Sequence, residues 1–147
     1  MNNQALIIIA VVVGALLSLQ GVANSNLSKY LNHPLQASFI SFLVALIFLT
    51  TCLTVSNIGF PSVNALKTLP WYLYAGGFLG VIFVTSVLTL MPKLGVANVV
   101  VSIFVGQMFF SVIVDHFGFF GMPVKPLDWV RGGGGAMLLT GLYFIQS

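Results

Sequence analysis

Three polar side chains recur at a spacing of four residues within the apolar run GQMFFSVIVDHFG, which covers residues 106–118. They are Gln107, Ser111 and Asp115. In a helix this spacing places them along one face, with a drift of only about 40° per step. Polar groups inside an apolar helix are costly unless they find partners, so the face is a candidate either for binding a polar solute or for hydrogen bonds between helices.

A second polar pair, Gln20 and Asn24, shows the same spacing near the start of the chain. Together with the first stripe, it is the best candidate for the lining of a cavity. Gln107 lies near the middle of its apolar run, at the depth where membrane transporters usually bind their substrates. Hydrogen bonding between helices is the alternative for each of these amides, and the sequence leaves both open.

Asp115 is the only acidic residue within an apolar segment, because the chain has no glutamate and Asp128 lies in a connector. A carboxylate inside a membrane segment is a candidate proton carrier or cation ligand. Asp115 is also about one turn from the end of its segment, where it could instead bond to His116 or pair with Arg131 or Lys125. We expect His116 and Arg131 to be structural or interfacial polar residues.

The overall composition decides what kind of protein must position these groups. Of 147 residues 59% are hydrophobic, the mean hydropathy is +1.09, and only 5% are charged, which is too little polar surface for a soluble domain. The basic residues are scattered singly, which excludes a nucleic-acid surface. One cysteine and two separated histidines give no metal-binding cluster, and we expect no metal and no cofactor.

Hydropathy predicts an all-α integral membrane protein that forms a single five-helix transmembrane domain over residues 1–147. A helix that crosses the bilayer needs about 20 mostly apolar residues. Five segments meet or nearly meet this length, and all six prolines fall between them. The predicted spans are residues 4–23, 36–56, 71–91, 96–118 and 130–146, and the sequence leaves open an extension of the first span toward Tyr30.

Small residues also recur at a spacing of four, at Gly76 and Gly80 in the third segment and at Ser102 and Gly106 in the fourth. Such pairs open a groove on one helix face where another backbone can approach closely. They predict close helix packing at these two faces.

Four glycines at positions 132–135 open the fifth segment, directly after Arg131. The run lacks the Lys-Ser or Lys-Thr of a phosphate-binding loop, so it is not interpreted as one. Glycines weaken a helix and permit either a close neighbour or a hinge, and the sequence leaves both open.

The positive charges barely decide the orientation of the chain. Five spans place Lys67, Lys125 and Arg131 on one side and Lys29 and Lys93 on the other, and the cytoplasmic side normally carries the excess. A difference of three against two predicts insertion in both orientations, which would let two copies pair antiparallel. A fixed but weakly set orientation is the alternative.

Long stretches of the sequence resemble a known family of membrane proteins. The stretches LSLQGVANSNLSKYLNHPLQASFISFLVA, PWYLYAGGFLGVIFV, MPKLGVAN and GQMFFSVIVDHFGFFGMPVKPL, with a closing Arg-Gly helix, are similar to the YdcZ-like family of small bacterial inner-membrane proteins. That family is grouped with the drug/metabolite transporter superfamily. The resemblance therefore implies a multi-pass protein of the bacterial inner (cytoplasmic) membrane.

The resemblance implies a half-transporter unit of five helices that assembles as an antiparallel, dual-topology dimer. The family signature corresponds here to Gly106, Gln107, Asp115, His116 and Gly118, and frames a helix that lines a shared cavity. The glycine run is a departure from the family pattern. The chain also lacks the first-helix glutamate of the small multidrug exporters of the same superfamily, so that exchange mechanism does not transfer.

The leading functional hypothesis is a small-molecule transporter that binds a neutral, zwitterionic or amphipathic solute. Its partners would be the lipid bilayer, the unknown solute and a second copy or an oppositely oriented paralogue, with no nucleic acid. A small ion channel and an accessory membrane subunit are the alternatives. The sequence shows no nucleophile and base pair and no metal-ligand spacing, so we expect no enzyme.

Overall fold

The computed structural model describes residues 2–146, and this part of the chain contains only helices, turns and connectors. Six α-helices follow one another within these residues. They are α1 (Asn3–Leu31), α2 (Pro34–Val55), α3 (Val63–Thr68), α4 (Ala75–Leu94), α5 (Val96–Phe117) and α6 (Trp129–Gln146). Short 3-10 turns at Trp71–Tyr74 and Phe119–Gly121 precede α4 and follow α5.

Within residues 2–146, four helices are long and apolar enough to cross a membrane, so the prediction of an all-helical membrane protein is confirmed at this level. They are Asn3–Leu31, Pro34–Val55, Trp71–Leu94 and Val96–Phe117. The first helix runs past residue 23 to Leu31, in agreement with the extension toward Tyr30 that the sequence left open. At 1.5 Å per residue its 29 residues span about 43 Å, against about 30 Å of hydrocarbon, so its ends extend into the headgroup region.

The fifth predicted span forms a helix but does not qualify as a membrane span. α6 covers 18 residues, close to the predicted segment 130–146, and is not among the four candidate spans. Its first two turns contain Arg131 and the glycine run 132–135, which contribute little hydropathy. A fifth span therefore stays a prediction.

Two prolines lie inside helices, so the expectation that all six separate the spans is wrong for Pro34 and Pro92. Pro34 is the first residue of α2, where the missing N–H has no helical partner to lose. Pro92 lies in the last turn of α4. Membrane helices tolerate proline because local adjustments and neighbouring groups satisfy the carbonyl that it leaves free.

The chain divides into two compact units, residues 1–93 and 94–147. In the first, α1, α2 and α4 pack around a small core that contains Ala37, Val87, Leu88 and Met91. Gly21 of α1 provides the space for the end of the Met91 side chain, since a Cβ there would lie 2.6 Å from Met91 Cε. The second unit contains α5 and α6, which pack against each other.

Most large apolar side chains of the chain point outward. Along residues 6–19 of α1, leucine, isoleucine and valine side chains are exposed around the whole circumference of the helix. A helix that is hydrophobic all round is stable in lipid and would aggregate in water. The exposed surface therefore agrees with a membrane environment.

Candidate functional site

In the first unit, neutral polar groups join the three long helices in pairs. Asn24 Nδ2 of α1 donates a hydrogen bond to Ser41 Oγ of α2 over 3.0 Å. Ser38 of α2 and Thr85 of α4 bond through their hydroxyl groups at 2.9 Å, and Ser38 is only 1% exposed. Asn24 was predicted as a cavity residue, whereas the sequence analysis missed Ser38, Ser41 and Thr85.

Gln20, the other residue of the α1 stripe, differs from Asn24. Its side chain is exposed and has no hydrogen-bond partner among the described residues. One turn of helix thus separates an amide that is bonded to α2 from an amide that points away from the packed core. Of the two, Gln20 is the one that is free to meet a solute or another chain.

The α5 stripe is also split between free and paired groups. Gln107 and Ser111 are exposed, and neither side chain has a hydrogen-bond partner within residues 2–146. Gly106, next to Gln107, faces open space. The middle of α5 therefore presents an unpaired amide beside a position where a neighbouring group can approach the backbone.

At the end of α5, Asp115 forms an ion pair with Arg131 of α6. Arg131 Nη1 lies 3.4 Å from Asp115 Oδ2, and the same nitrogen donates to the carbonyl oxygen of Lys125 over 3.2 Å. The backbone N–H of Lys125 in turn donates to the carbonyl oxygen of Asp115 at 2.8 Å. The two charged side chains are 40% and 33% exposed, so water reaches the pair.

His116 binds a second point of the connector between α5 and α6, which is formed by residues 118–128. Its Nδ1 accepts a hydrogen bond from the backbone N–H of Leu127 over 3.0 Å. Gly118 ends α5 in the left-handed region at φ +67°, and a Cβ there would lie 2.7 Å from Val124 Cγ2. Asp115, His116 and Gly118 thus fold the connector 118–128 back onto the end of α5.

Asp128 begins α6 by capping it. Its Oδ1 accepts from the backbone N–H of Arg131 at 2.8 Å, and its carbonyl oxygen accepts from the N–H of Gly132 at 2.9 Å. The carboxylate thus satisfies one of the four N–H groups that a helix start leaves free, and the carbonyl oxygen accepts the first ordinary helical hydrogen bond. The cap compensates in part for the glycines that follow, each of which costs about 1 kcal/mol relative to alanine within a helix.

The glycine run is packed only at its last residue. A Cβ on Gly135 would contact Met108 Cε at 3.7 Å and the Phe109 ring at 3.8 Å. At positions 132–134 a Cβ would meet nothing within 4 Å. A close helix contact therefore accounts for one of the four glycines.

Of the four small residues predicted to pack helices together, two have a neighbour in the structure and two do not. Gly80 lies 3.5 Å, measured from an added Cβ, from the Phe42 ring of α2, and Ser102 accepts from Gln146 Nε2 over 3.4 Å. Gly76 and Gly106 face open space in a single chain. Their role in packing against another chain stays a prediction.

Two open pockets lie near the turn that joins α1 and α2, and neither includes a predicted site residue. The first is lined by Leu31, His33, Leu35, Gln36, Phe39 and Ile40, and the second by Asn26, Lys29 and Tyr30. In residues 2–146 no three His, Cys, Asp or Glu side chains are grouped to hold a metal ion.

The family model described as "Putative inner membrane exporter, YdcZ" matches residues 5–144. The chain belongs to the YdcZ family. The match extends from α1 to the last turn of α6, so it includes both units and every predicted site residue, and it confirms the resemblance seen in the sequence. No curated protein and no solved structure matches the chain.

Proposed function

We propose that the protein is a small-molecule exporter of the drug/metabolite transporter type, which works by alternating access as an antiparallel homodimer in the bacterial inner membrane. The family match over residues 5–144 is the observation that carries the proposal. Four apolar helices of sufficient length agree with a multi-pass membrane protein.

The free amide of Gln107 supports a site on α5. It lies near the middle of the 22-residue helix, at the depth of the bilayer centre if α5 spans the membrane. An amide moved from water into hydrocarbon without a hydrogen bond costs about 4 to 8 kcal/mol. Gln107 must therefore be covered by a second chain, a solute or water, and a solute site between two copies provides all three.

The polar groups that remain free favour an uncharged or zwitterionic solute. Gln20, Gln107 and Ser111 offer amide and hydroxyl groups, which donate and accept hydrogen bonds but carry no charge. Asp115, the only acid within the four long helices, is already paired with Arg131. The site therefore has no unpaired charge to bind a strongly ionic substrate.

In the proposed dimer, α6 is the fifth span and completes the half-transporter. Its 18 residues reach about 27 Å, close to the thickness of the hydrocarbon core. The tally of three positive charges against two leaves orientation weakly set, which allows two copies to insert in opposite directions.

A flux measurement tests the proposed function. Purified protein in liposomes on a supported membrane is challenged with amines, amino acids, sugars and anions, and uptake is measured in parallel by mass spectrometry to detect electroneutral transport. We expect a substrate-dependent transient current or uptake that Gln107→Ala abolishes. Gln4→Ala, at an exposed amide in the first turn of α1, is the matched control and should keep wild-type transport.

Each alternative gives a different result in this experiment. A sustained ion current would favour a channel, since a channel passes ions without a conformational cycle. Flux that is unchanged in Gln107→Ala would refute the α5 site, and no flux of any solute would favour an accessory subunit.

Orientation needs its own test. Reporters fused to each terminus should both appear on both sides of the membrane if insertion is dual. A single location for each terminus would refute the homodimeric antiparallel arrangement and leave pairing with an oppositely oriented paralogue.

A further inference from the structure

The start of α6 is a weak helix that depends on contacts outside itself. Positions 132–134 carry glycines with no neighbour within 4 Å of an added Cβ, so this stretch has neither side-chain packing nor helix propensity to stabilise it. The contacts that remain are the Asp128 cap and the side chain of Arg131. The helical state of residues 129–134 therefore depends on a few polar groups.

Arg131 connects three parts of the second unit through one nitrogen. Nη1 lies 3.4 Å from the Asp115 carboxylate at the end of α5 and 3.2 Å from the Lys125 carbonyl oxygen in the connector, while the residue itself belongs to the first turn of α6. We propose that the Asp115–Arg131 pair is a latch that keeps residues 129–134 helical, and that release of the pair unwinds this segment as a hinge.

The packing of α6 sets where the unwinding stops. Gly135 is buried and an added Cβ there would contact Met108 and Phe109 of α5, so apolar packing of α6 against α5 begins at this residue. The hinge is thus limited to the turns before Gly135. Both charged side chains are partly exposed, which makes the latch breakable, since such pairs contribute little net stability.

The latch does not depend on the proposed transport function. It concerns the helix equilibrium of one chain, and it would exist equally in a channel or an accessory subunit. Its test therefore measures local structure and not flux.

Hydrogen exchange of the full chain in lipid nanodiscs, read by mass spectrometry, tests the latch. Asp115→Asn removes the charge but keeps the size of the side chain. We expect exchange at residues 132–134 to become about fivefold faster, with residues 137–146 unchanged. Ser111→Ala, one turn earlier on the same face of α5 and without a partner, is the matched control and should change neither segment.

Two further variants separate the latch from general damage. The charge exchange Asp115→Arg with Arg131→Asp should restore slow exchange if the pair itself is responsible. Gly133→Ala with Gly134→Ala, added to Asp115→Asn, should also restore it, because both positions have room for a methyl group and alanine strengthens the helix.

Three results would overturn the proposal. They are unchanged exchange at 132–134 in Asp115→Asn, an equal acceleration over the whole of α6, and a folded charge-exchange variant that exchanges as fast as Asp115→Asn. If Asp115→Asn fails to fold, Arg131→Gln tests the same pair from the α6 side with the same expected result.

Discussion

The two units of the chain join their helices with different kinds of polar contact. In the first unit, Ser38 and Thr85 form a neutral hydroxyl pair with Ser38 almost fully buried. In the second unit, Asp115 and Arg131 form a charged pair at a helix end. Their side chains are 40% and 33% exposed. The neutral pair lies between packed helices, whereas the charged pair ties a connector and a weak helix to α5.

The difference follows from the cost of burying each group. A hydroxyl that meets another hydroxyl costs little to bury, so it can hold helices together within the apolar region. A charge in that region costs several times more, so charged pairs lie near helix ends where water reaches them. We therefore expect the stability of the first unit to depend on the shape of its buried side chains. The stability of the second unit should depend on backbone conformation and on salt concentration.

The largest effect should come from filling the space beside Met91 in the first unit. In Gly21→Leu the new Cβ would lie 2.6 Å from Met91 Cε and 3.5 Å from Val87 Cγ1, so the end of the Met91 side chain must move and the rest of the leucine must fit into an occupied core. We expect a loss of about 2 to 3 kcal/mol in the free energy of unfolding. Reversible unfolding in mixed detergent micelles, followed by Trp71 fluorescence with Trp129 replaced by Phe, measures it.

The matched control for this change is Gly14→Leu, two turns earlier in the same helix, where an added Cβ meets nothing within 4 Å. It should not lower the unfolding free energy and should raise it by up to about 1 kcal/mol, because leucine has a higher helix propensity than glycine. Equal losses in the two variants would show that helix α1 does not pack on α4 through Gly21.

A somewhat smaller effect should come from the backbone of the second unit. Gly118→Ala forces a residue with a Cβ into the left-handed region and within 3.2 Å of the Met122 carbonyl oxygen. We expect a loss of about 1 to 2 kcal/mol, measured through Trp129 fluorescence with Trp71 replaced by Phe. Gly134→Ala, in open space within α6, should instead stabilise the unit, and destabilisation there would contradict the picture of an unpacked glycine run.

The neutral pair of the first unit should contribute about 1 kcal/mol. A double-mutant cycle with Ser38→Ala and Thr85→Val measures the coupling of the two hydroxyl groups in the same unfolding experiment. Additive single effects would show that the pair contributes no coupling energy despite its 2.9 Å separation.

The smallest effect on stability should come from Asp115→Asn. The dependence of this effect on salt should give the sharpest contrast between the two units. Asp115→Asn should cost less than about 1 kcal/mol, and the cost should shrink as salt rises, because the pair is partly exposed. Ser38→Ala should show the same cost at low and high salt. A salt-independent cost for Asp115→Asn would mean that the charged pair is shielded from water.

Hydropathy and proline positions predicted most of the helices, because the length of apolar segments is fixed by bilayer thickness. The end of α1 was left open between residue 23 and Tyr30, since residues 24–31 are largely polar but helical and lie beyond the predicted apolar core. The polar residues of this last part, such as Asn24 and Lys29, resemble a loop in composition. Helix continuation there depends on packing against α2, which no local pattern records.

The polar contacts were predictable only where a residue type is rare. Asp115 stood out as the single acid in a span, and Arg131 was one of three partners that the sequence allowed. Serine and threonine are common in membrane helices, so Ser38 and Thr85 gave no signal until the rotation of α2 and α4 was known. Gly21 was missed for the same reason, because its partner is not another small residue but the end of Met91.

The turn between α1 and α2 has a consequence for biosynthesis. Only Asn32 and His33 separate the two helices, with Asn32 in the left-handed region and the His33 side chain capping α2. We expect two long apolar helices joined so closely to enter the bilayer together as a hairpin whose tip carries one lysine, Lys29. If the positive charges near the helix ends set the orientation, one more lysine beside Lys29 should favour the orientation that places this tip in the cytoplasm.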